Sequence, residues 1–508
     1  ALLCCTSGTA AVNFAPAVVE AFYSQVSLIV LTADRPEGAA ARGASQSIEQ
    51  VGLFDPHTVA NLRIGTGADT VAAADRARIA WNASRGPNRG PAHVNVHLAE
   101  PLLVPIANWP KVTPPPALDG PQGPQPAAGT TPAGVATSAA SNAGVSATHA
   151  PDSTRTALPS LPPLGSRPVL VMGDVPWHNQ SALVAGLAAA KALNIPVLME
   201  PTAGLRDPDV SIRHHSLVTD ALAADATSVL TVGRFGLGRH LRRLCQQTPV
   251  HISFAAAASG TDPFATADVV LPLATIAQVF NAVLGHASVD ADWLAQWHAA
   301  DNAAHQRLTE ALDAWPGLPT GLHTAVETLN AASASDALVF AAASRSIRDV
   351  DLMADFDGPQ VLANLGVNGI DGLISSAAGV ATATGRPTYL LIGDIAFLHG
   401  SNGLLIPSDE PQPDLTIVVS DDNGGAIFSD LEQGASDYSP WFERVFGTPH
   451  GRDLVALAQG YGIVAVEVQD TASLREQLMQ PVKGLRIIVV RTASRTETRD
   501  LRAALRNA

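Results

Sequence analysis

Short apolar, β-branched runs, each closed by turn residues and separated from the next by a helical segment, constrain this chain more than any other feature. Thr388 to Ile392 (TYLLI) and Leu415 to Val419 (LTIVV) are the clearest. Leu338 to Ala342, Val361 to Ala363, Ile463 to Val468 and Arg486 to Val490 repeat the pattern, and Leu322, Val326 and Leu329 form a helical stripe ahead of them. Runs too short for a helix, without polar alternation, suit strands buried on both faces. Strands joined by helices pair in parallel, so residues 318–508 are expected to fold as a doubly wound α/β domain.

The same alternation appears twice upstream. Leu2 to Cys5, Leu28 to Thr32 and Ala92 to Val96 read as strands of a first unit, residues 1–105, with Pro16 to Tyr23 as a helix and Ala33-Asp34-Arg35-Pro36 leaving the sheet. Val169 to Met172, Pro196 to Met199, Ser228 to Val232 and Pro249 to Phe254 read as strands of a second, residues 166–317, with an alanine-rich helix from Ser181 to Leu193. Between them, residues 106–165 are dominated by proline, alanine, serine, threonine and glycine, the composition of a linker. Three domains suit a chain of 508 residues, which is too long for one core.

Composition narrows the class. The net charge of -15 argues against a general nucleic-acid binder, so anionic substrates would have to be held by local arginines. No apolar run reaches the ~18 residues of a membrane span, and Cys4, Cys5 and Cys245 show neither metal-ligand nor disulfide spacing, which fits a reducing cytoplasm. The opening Ala-Leu-Leu-Cys-Cys is apolar from its first residue, like a strand inside a sheet. The first domain is therefore expected to be incomplete.

Gly393-Asp394 and Asp422-Asn423-Gly424-Gly425 each follow one of the two clearest strands, at the end where open parallel sheets bind ligands. The two carboxylates, 28 residues apart, and a glycine carbonyl can offer hard oxygens to one Mg²⁺ that also holds phosphate oxygens. The same residues also make ordinary turns. Gly173-Asp174 is of that kind, with no acidic partner at the right distance, and Gly236-Leu237-Gly238 lacks the third glycine of a dinucleotide loop.

The Gly-Asp and Asp-Asn-Gly spacing resembles the thiamin-diphosphate signature, whose layout is three α/β domains. Thr6-Ser7-Gly8-Thr9-Ala10, Thr32-Ala33-Asp34-Arg35-Pro36, Gly369-Ile370-Asp371-Gly372, Asp422-Asn423-Gly424-Gly425-Ala426-Ile427-Phe428 and Phe446-Gly447-Thr448-Pro449-His450 narrow the resemblance. They are similar to the MenD family, the 2-succinyl-5-enolpyruvyl-6-hydroxy-3-cyclohexene-1-carboxylate synthases of menaquinone biosynthesis, in their actinobacterial form. The resemblance implies a carboligase that decarboxylates 2-oxoglutarate and adds the succinyl unit to isochorismate, with thiamin diphosphate and Mg²⁺ or Mn²⁺. It also implies a homodimer or homotetramer whose active sites join the first domain of one subunit to the last of another.

Residue by residue, the resemblance makes Asp394, Asp422 and the Gly424 carbonyl metal ligands, and Gly393 beside them a cofactor-binding residue. Ile370 would buttress the bent cofactor, with Ile427 and Phe428 as apolar neighbours of cofactor and substrate; core packing is the plainer role for these two. Arg35, Arg239 and Arg348 match substrate-binding cations, and Ser344 and Gln46 match contact positions, with Gln46 and Arg348 placed at the reaction. Arginine suits carboxylates because its planar fork can reach both oxygens.

Two departures stand out. Leu365, in Asn364-Leu365-Gly366, occupies a position where the family places a carboxylate-binding arginine. The family also carries, ahead of Thr-Ser-Gly-Thr, a Pro-Gly-Ser-Arg loop and a glutamate that activates the cofactor. Glu20 and Glu49 lie at the wrong places to replace it and read as surface carboxylates. A fragment or misplaced start is the favoured account. The alternatives are a chain that binds cofactor without activity and a different thiamin-dependent 2-oxoacid decarboxylase, the latter opposed by Gly369-Ile370-Asp371-Gly372.

Overall fold

Leucine, isoleucine and valine on consecutive positions need apolar cover on both sides, and the last domain supplies it. The computed structural model describes residues 1–42, 44–99, 102, 159–176, 179–204, 206–256, 262–284 and 288–507. Gly43 and nearly all of the segment read as a linker, residues 106–165, lie outside the described residues.

The first sheet contains β1 (Leu2–Cys5), β2 (Leu28–Asp34), β3 (Ala60–Ile64) and β4 (Pro91–His97), in the order β1-β2-β4-β3. β2 runs two residues further than the sequence pattern suggests, so Asp34 is still in the strand, paired with His97. The second sheet contains β5 (Pro168–Met172), β6 (Val197–Met199), β7 (Ser211–Ile212), β8 (Ser228–Val232), β9 (His251–Ala255) and β10 (Val269–Pro272), in the order β10-β9-β8-β5-β6-β7. The third contains β11 (Leu338–Ala341), β12 (Val361–Leu362), β13 (Thr388–Gly393), β14 (Leu415–Asp421), β15 (Val464–Val468) and β16 (Leu485–Arg491), in the order β12-β11-β13-β14-β16-β15. Every pairing in the three sheets is parallel.

In the third sheet successive residues enter different cores. Leu391, Val418 and Ile488 pack on one face with Ala325 and Leu329 of the helix Gly321–Ala334. Leu390, Ile417, Val419 and Ile487 pack on the other with Ile374 and Ala377 of the helix Leu373–Thr384. Both faces are dry, which is why TYLLI and LTIVV show no polar alternation. From β11 the chain steps outward to β12 and returns as β13 on the other side of β11, so the strand order reverses there. Loops leaving a sheet at such a reversal splay apart and leave a crevice.

The three domains meet at the loop after β12. Glu20, on the helix Ala15–Tyr23, accepts the N–H groups of Gly366 and Val367 at 2.7 and 2.9 Å, and Arg234 donates to the Gly366 carbonyl at 3.2 Å. Glu20 is thus a domain clamp rather than a solvated surface carboxylate. Among the described residues, no helix is long and apolar enough to cross a membrane.

Candidate active site

β13 and β14 are neighbours in register, with Gly393 opposite Ser420, so the loops that leave them start side by side. Asp394 opens the helix Asp394–His399 and is 2 % exposed. Its Oδ1 accepts the Ile395 N–H at 2.6 Å and its Oδ2 accepts the Gly424 N–H at 2.7 Å, which ties the two loops together. His450 Nε2 lies 3.1 Å from Asp394 Oδ2 and 3.5 Å from Asp421 Oδ1. Asp394, Asp421 and His450 each bring one ligand atom within 4.8 Å of the others.

Asp422 lies beside this cluster and lines the same crevice, a cavity of about 190 Å³. Its Oδ1 is buried with no hydrogen-bond partner among the described residues. Burial, and then the Asp394 charge, push the Asp422 carboxyl well above its ordinary range. Burial likewise raises Asp394 to about 6, against the opposing effect of the Gly424 N–H. Arg491 donates to Asp421 Oδ2 at 2.8 Å. Two neighbouring buried carboxyls, one with an orphaned oxygen, are the donor set that a hard divalent cation completes.

The backbone here is built for close approach. Gly424 has φ +148°, and a Cβ on it would collide with the Gly447 carbonyl and the Arg495 guanidinium. Arg495 donates to the Asn423 carbonyl at 2.7 Å, and Gly425 donates to the Gly447 carbonyl at 2.8 Å. These bonds lock the Asp422–Gly425 loop against the segment that carries His450.

Of the residues named from sequence, Asp394, Asp422, Gly424, Gly393, Ile370, Ile427, Phe428 and Ser344 all line this crevice. Ser344 has φ +74°, and its carbonyl accepts Arg348 Nη1 at 2.6 Å. Arg348 and Arg239 line a second, larger cavity of about 600 Å³ next to it. Arg239 is exposed there and forms a two-point ion pair with Glu432. Leu365 is buried in the core that also holds Leu237 and Ile347.

Arg35 and Gln46 line neither cavity of their own chain. They sit at the carboxyl edge of the first sheet, above a buried polar network. Asn95 donates to Asp34 Oδ2 at 2.8 Å and accepts from Thr32 and Gln50 at 2.7 and 2.9 Å, while Gln50 Oε1 takes the Gly8 N–H at 2.7 Å. Gln46, at φ +55°, donates to Thr6 Oγ1 at 3.1 Å and to the Ser7 carbonyl at 3.2 Å.

The Phe446–His450 motif carried His450 without a role, and the structure sets it against Asp394 and Asp421. Asp421 had no signal of its own in the sequence, and neither had Glu200. Its buried carboxylate accepts the N–H groups of Gly236 and Leu237, both at 2.7 Å. The glycine-containing loop that hinted at a nucleotide is thus filled by the protein's own carboxyl group. The Leu237 carbonyl in turn accepts Arg348 Nε at 3.2 Å, so Glu200 indirectly positions Arg348.

Three parallel α/β sheets, with an acidic crevice at the strand ends of the last, define the thiamin-diphosphate-enzyme class. Known proteins place the chain within it. It is 35% identical to a 2-succinyl-5-enolpyruvyl-6-hydroxy-3-cyclohexene-1-carboxylate synthase of Nocardia farcinica, over 99% of this chain and 85% of that protein. Proteins of the same description from Kineococcus radiotolerans and Thermobifida fusca are 34% and 36% identical, over 96% and 100% of this chain and 83% and 86% of theirs. No family model matches the chain. The chain belongs to the 2-succinyl-5-enolpyruvyl-6-hydroxy-3-cyclohexene-1-carboxylate synthase family, transferases of menaquinone biosynthesis that depend on thiamin diphosphate and a divalent metal, Mg²⁺ or Mn²⁺.

Proposed function

We propose that this chain decarboxylates 2-oxoglutarate and joins the remaining four-carbon unit to isochorismate. The observation that carries the site assignment is the orphaned Asp422 oxygen beside buried Asp394, at the ends of two adjacent strands. Asp394, Asp422 and the Gly424 carbonyl would hold the metal, and the metal the diphosphate. Thiamin diphosphate, when bound, supplies the electron sink for decarboxylation. Ile370, Ile427 and Phe428 give the crevice an apolar wall that excludes water around the cofactor ring. Arg348 and Ser344 orient a substrate carboxylate, with Arg239 at the outer rim of the larger cavity. Arg35 and Gln46 act in this scheme from a second copy of the chain, in a homodimer or homotetramer, because they line neither of these two cavities of their own subunit.

The test is CO₂ release from 2-oxoglutarate, expected only with thiamin diphosphate, Mg²⁺ and isochorismate together. Equal turnover of pyruvate contradicts the substrate assignment. One observation favours instead a chain that holds cofactor and metal without turnover. Glu20, a first-domain carboxylate, is already engaged by the N–H groups of Gly366 and Val367 and is not free to meet a cofactor. Cofactor binding without CO₂ release would support that second reading.

A further inference from the structure

The crevice and the larger cavity share two lining residues, Ile427 and Arg345. Arg345 opens the helix Arg345–Met353, one position after Ser344 and three before Arg348. Its side chain is 11 % exposed. Nη2 is committed: it donates to the Ala426 carbonyl at 2.6 Å and lies 3.0 Å from Asp430 Oδ2. Nε and Nη1 are buried with no hydrogen-bond partner among the described residues. A buried guanidinium with unmet donors is costly, and a ligand anion is a natural way to meet them.

The surroundings point the same way. Arg348, Arg502 and Arg506 line the larger cavity with Arg345, and Asp349 is taken up by an ion pair with Arg502. Burial, followed by the charges of Arg345, Arg506 and Arg348, holds the Arg502 guanidinium well below its usual range, as expected where cations outnumber anions. The residue that would otherwise supply a further carboxylate contact is Leu365, which is packed into the core.

We propose that Arg345 is a specificity-determining residue whose free Nε and Nη1 donors recognise the distal carboxylate of a dicarboxylic 2-oxoacid, the contact that Leu365 cannot make. This assignment rests on the substrate proposed above and adds the residue that distinguishes a dicarboxylate from a monocarboxylate. Arg345 acts on binding selectivity, so its role is read without turnover.

The experiment titrates 2-oxoglutarate, and 2-oxopentanoate of the same length without the distal carboxylate, into the full chain loaded with thiamin diphosphate and Mg²⁺. The native chain is expected to prefer 2-oxoglutarate. Loss of charge-assisted hydrogen bonds in Arg345→Gln is expected to weaken 2-oxoglutarate about ten- to hundredfold and to leave 2-oxopentanoate unchanged. Arg345→Lys keeps the stem packed and reads the same contrast should the glutamine chain misfold; its preference is expected to fall severalfold. A native preference that survives in the variants overturns this assignment alone. A native chain with no preference overturns the proposed substrate and this assignment with it.

Discussion

Replacing Glu200 by glutamine tests how the loop before Arg239 is held. Glu200 is 2 % exposed, and burial, followed by the charge of Asp351, raises its carboxyl from 4.5 to about 7. At about 1.4 kcal/mol per tenfold change in proton affinity, that rise corresponds to roughly 3 kcal/mol. The folded protein holds this proton more tightly than the unfolded chain, so the contribution is fully present below about pH 4.5 and is lost as pH rises through about 7. Glutamine keeps an oxygen for the Gly236 and Leu237 N–H groups and cannot ionise. Urea unfolding of both proteins, followed by tryptophan emission, is to be compared between pH 5 and pH 8. Over that interval Glu200→Gln should gain about 2 to 3 kcal/mol relative to the native chain. An equal offset at both pH values would refute the claim that a buried, proton-holding carboxyl secures this loop.

Gly424→Ala should lower stability by about 1–3 kcal/mol, since its Cβ has no room beside Gly447 and Arg495, and should weaken Mg²⁺-dependent cofactor binding; thermal melts with and without cofactor report both. Asn95→Ala leaves Asp34, Thr32 and Gln50 without their shared partner and should cost about 1–3 kcal/mol, measured by urea titration.

Legibility in the sequence followed how local the cause was. β13 and β14 could be read because burial on both faces leaves an uninterrupted apolar run. β3 could not: it is an edge strand with the sequence Ala-Asn-Leu-Arg-Ile, and pairing with β4 creates it. The two-residue β7 and the 21-residue helix Trp293–Asp313 also escaped, the second because its apolar positions, including buried Trp293 and Trp297, are spread through a polar sequence. In the crevice, Asp394 and Asp422 stand out in the sequence because each directly follows a strand end, with Gly424 two residues further on. His450 was visible only as the end of the Phe446–His450 motif, and its contact with Asp394, 56 residues away, is disclosed by the folded chain, as is the reach of Glu200 to a loop 36 residues away. Nothing in the sequence separates Arg345 from other helical arginines, because its distinction lies in which of its donors lack acceptors in the fold.

The most direct test of the account is calorimetric titration of thiamin diphosphate into the native chain and into Asp422→Ala, each with Mg²⁺ and again with chelator. Metal-dependent binding by the native chain, lost with chelator and lost in Asp422→Ala, is the expected result. Equal affinity in all four titrations would show that the diphosphate is held elsewhere and would contradict the account.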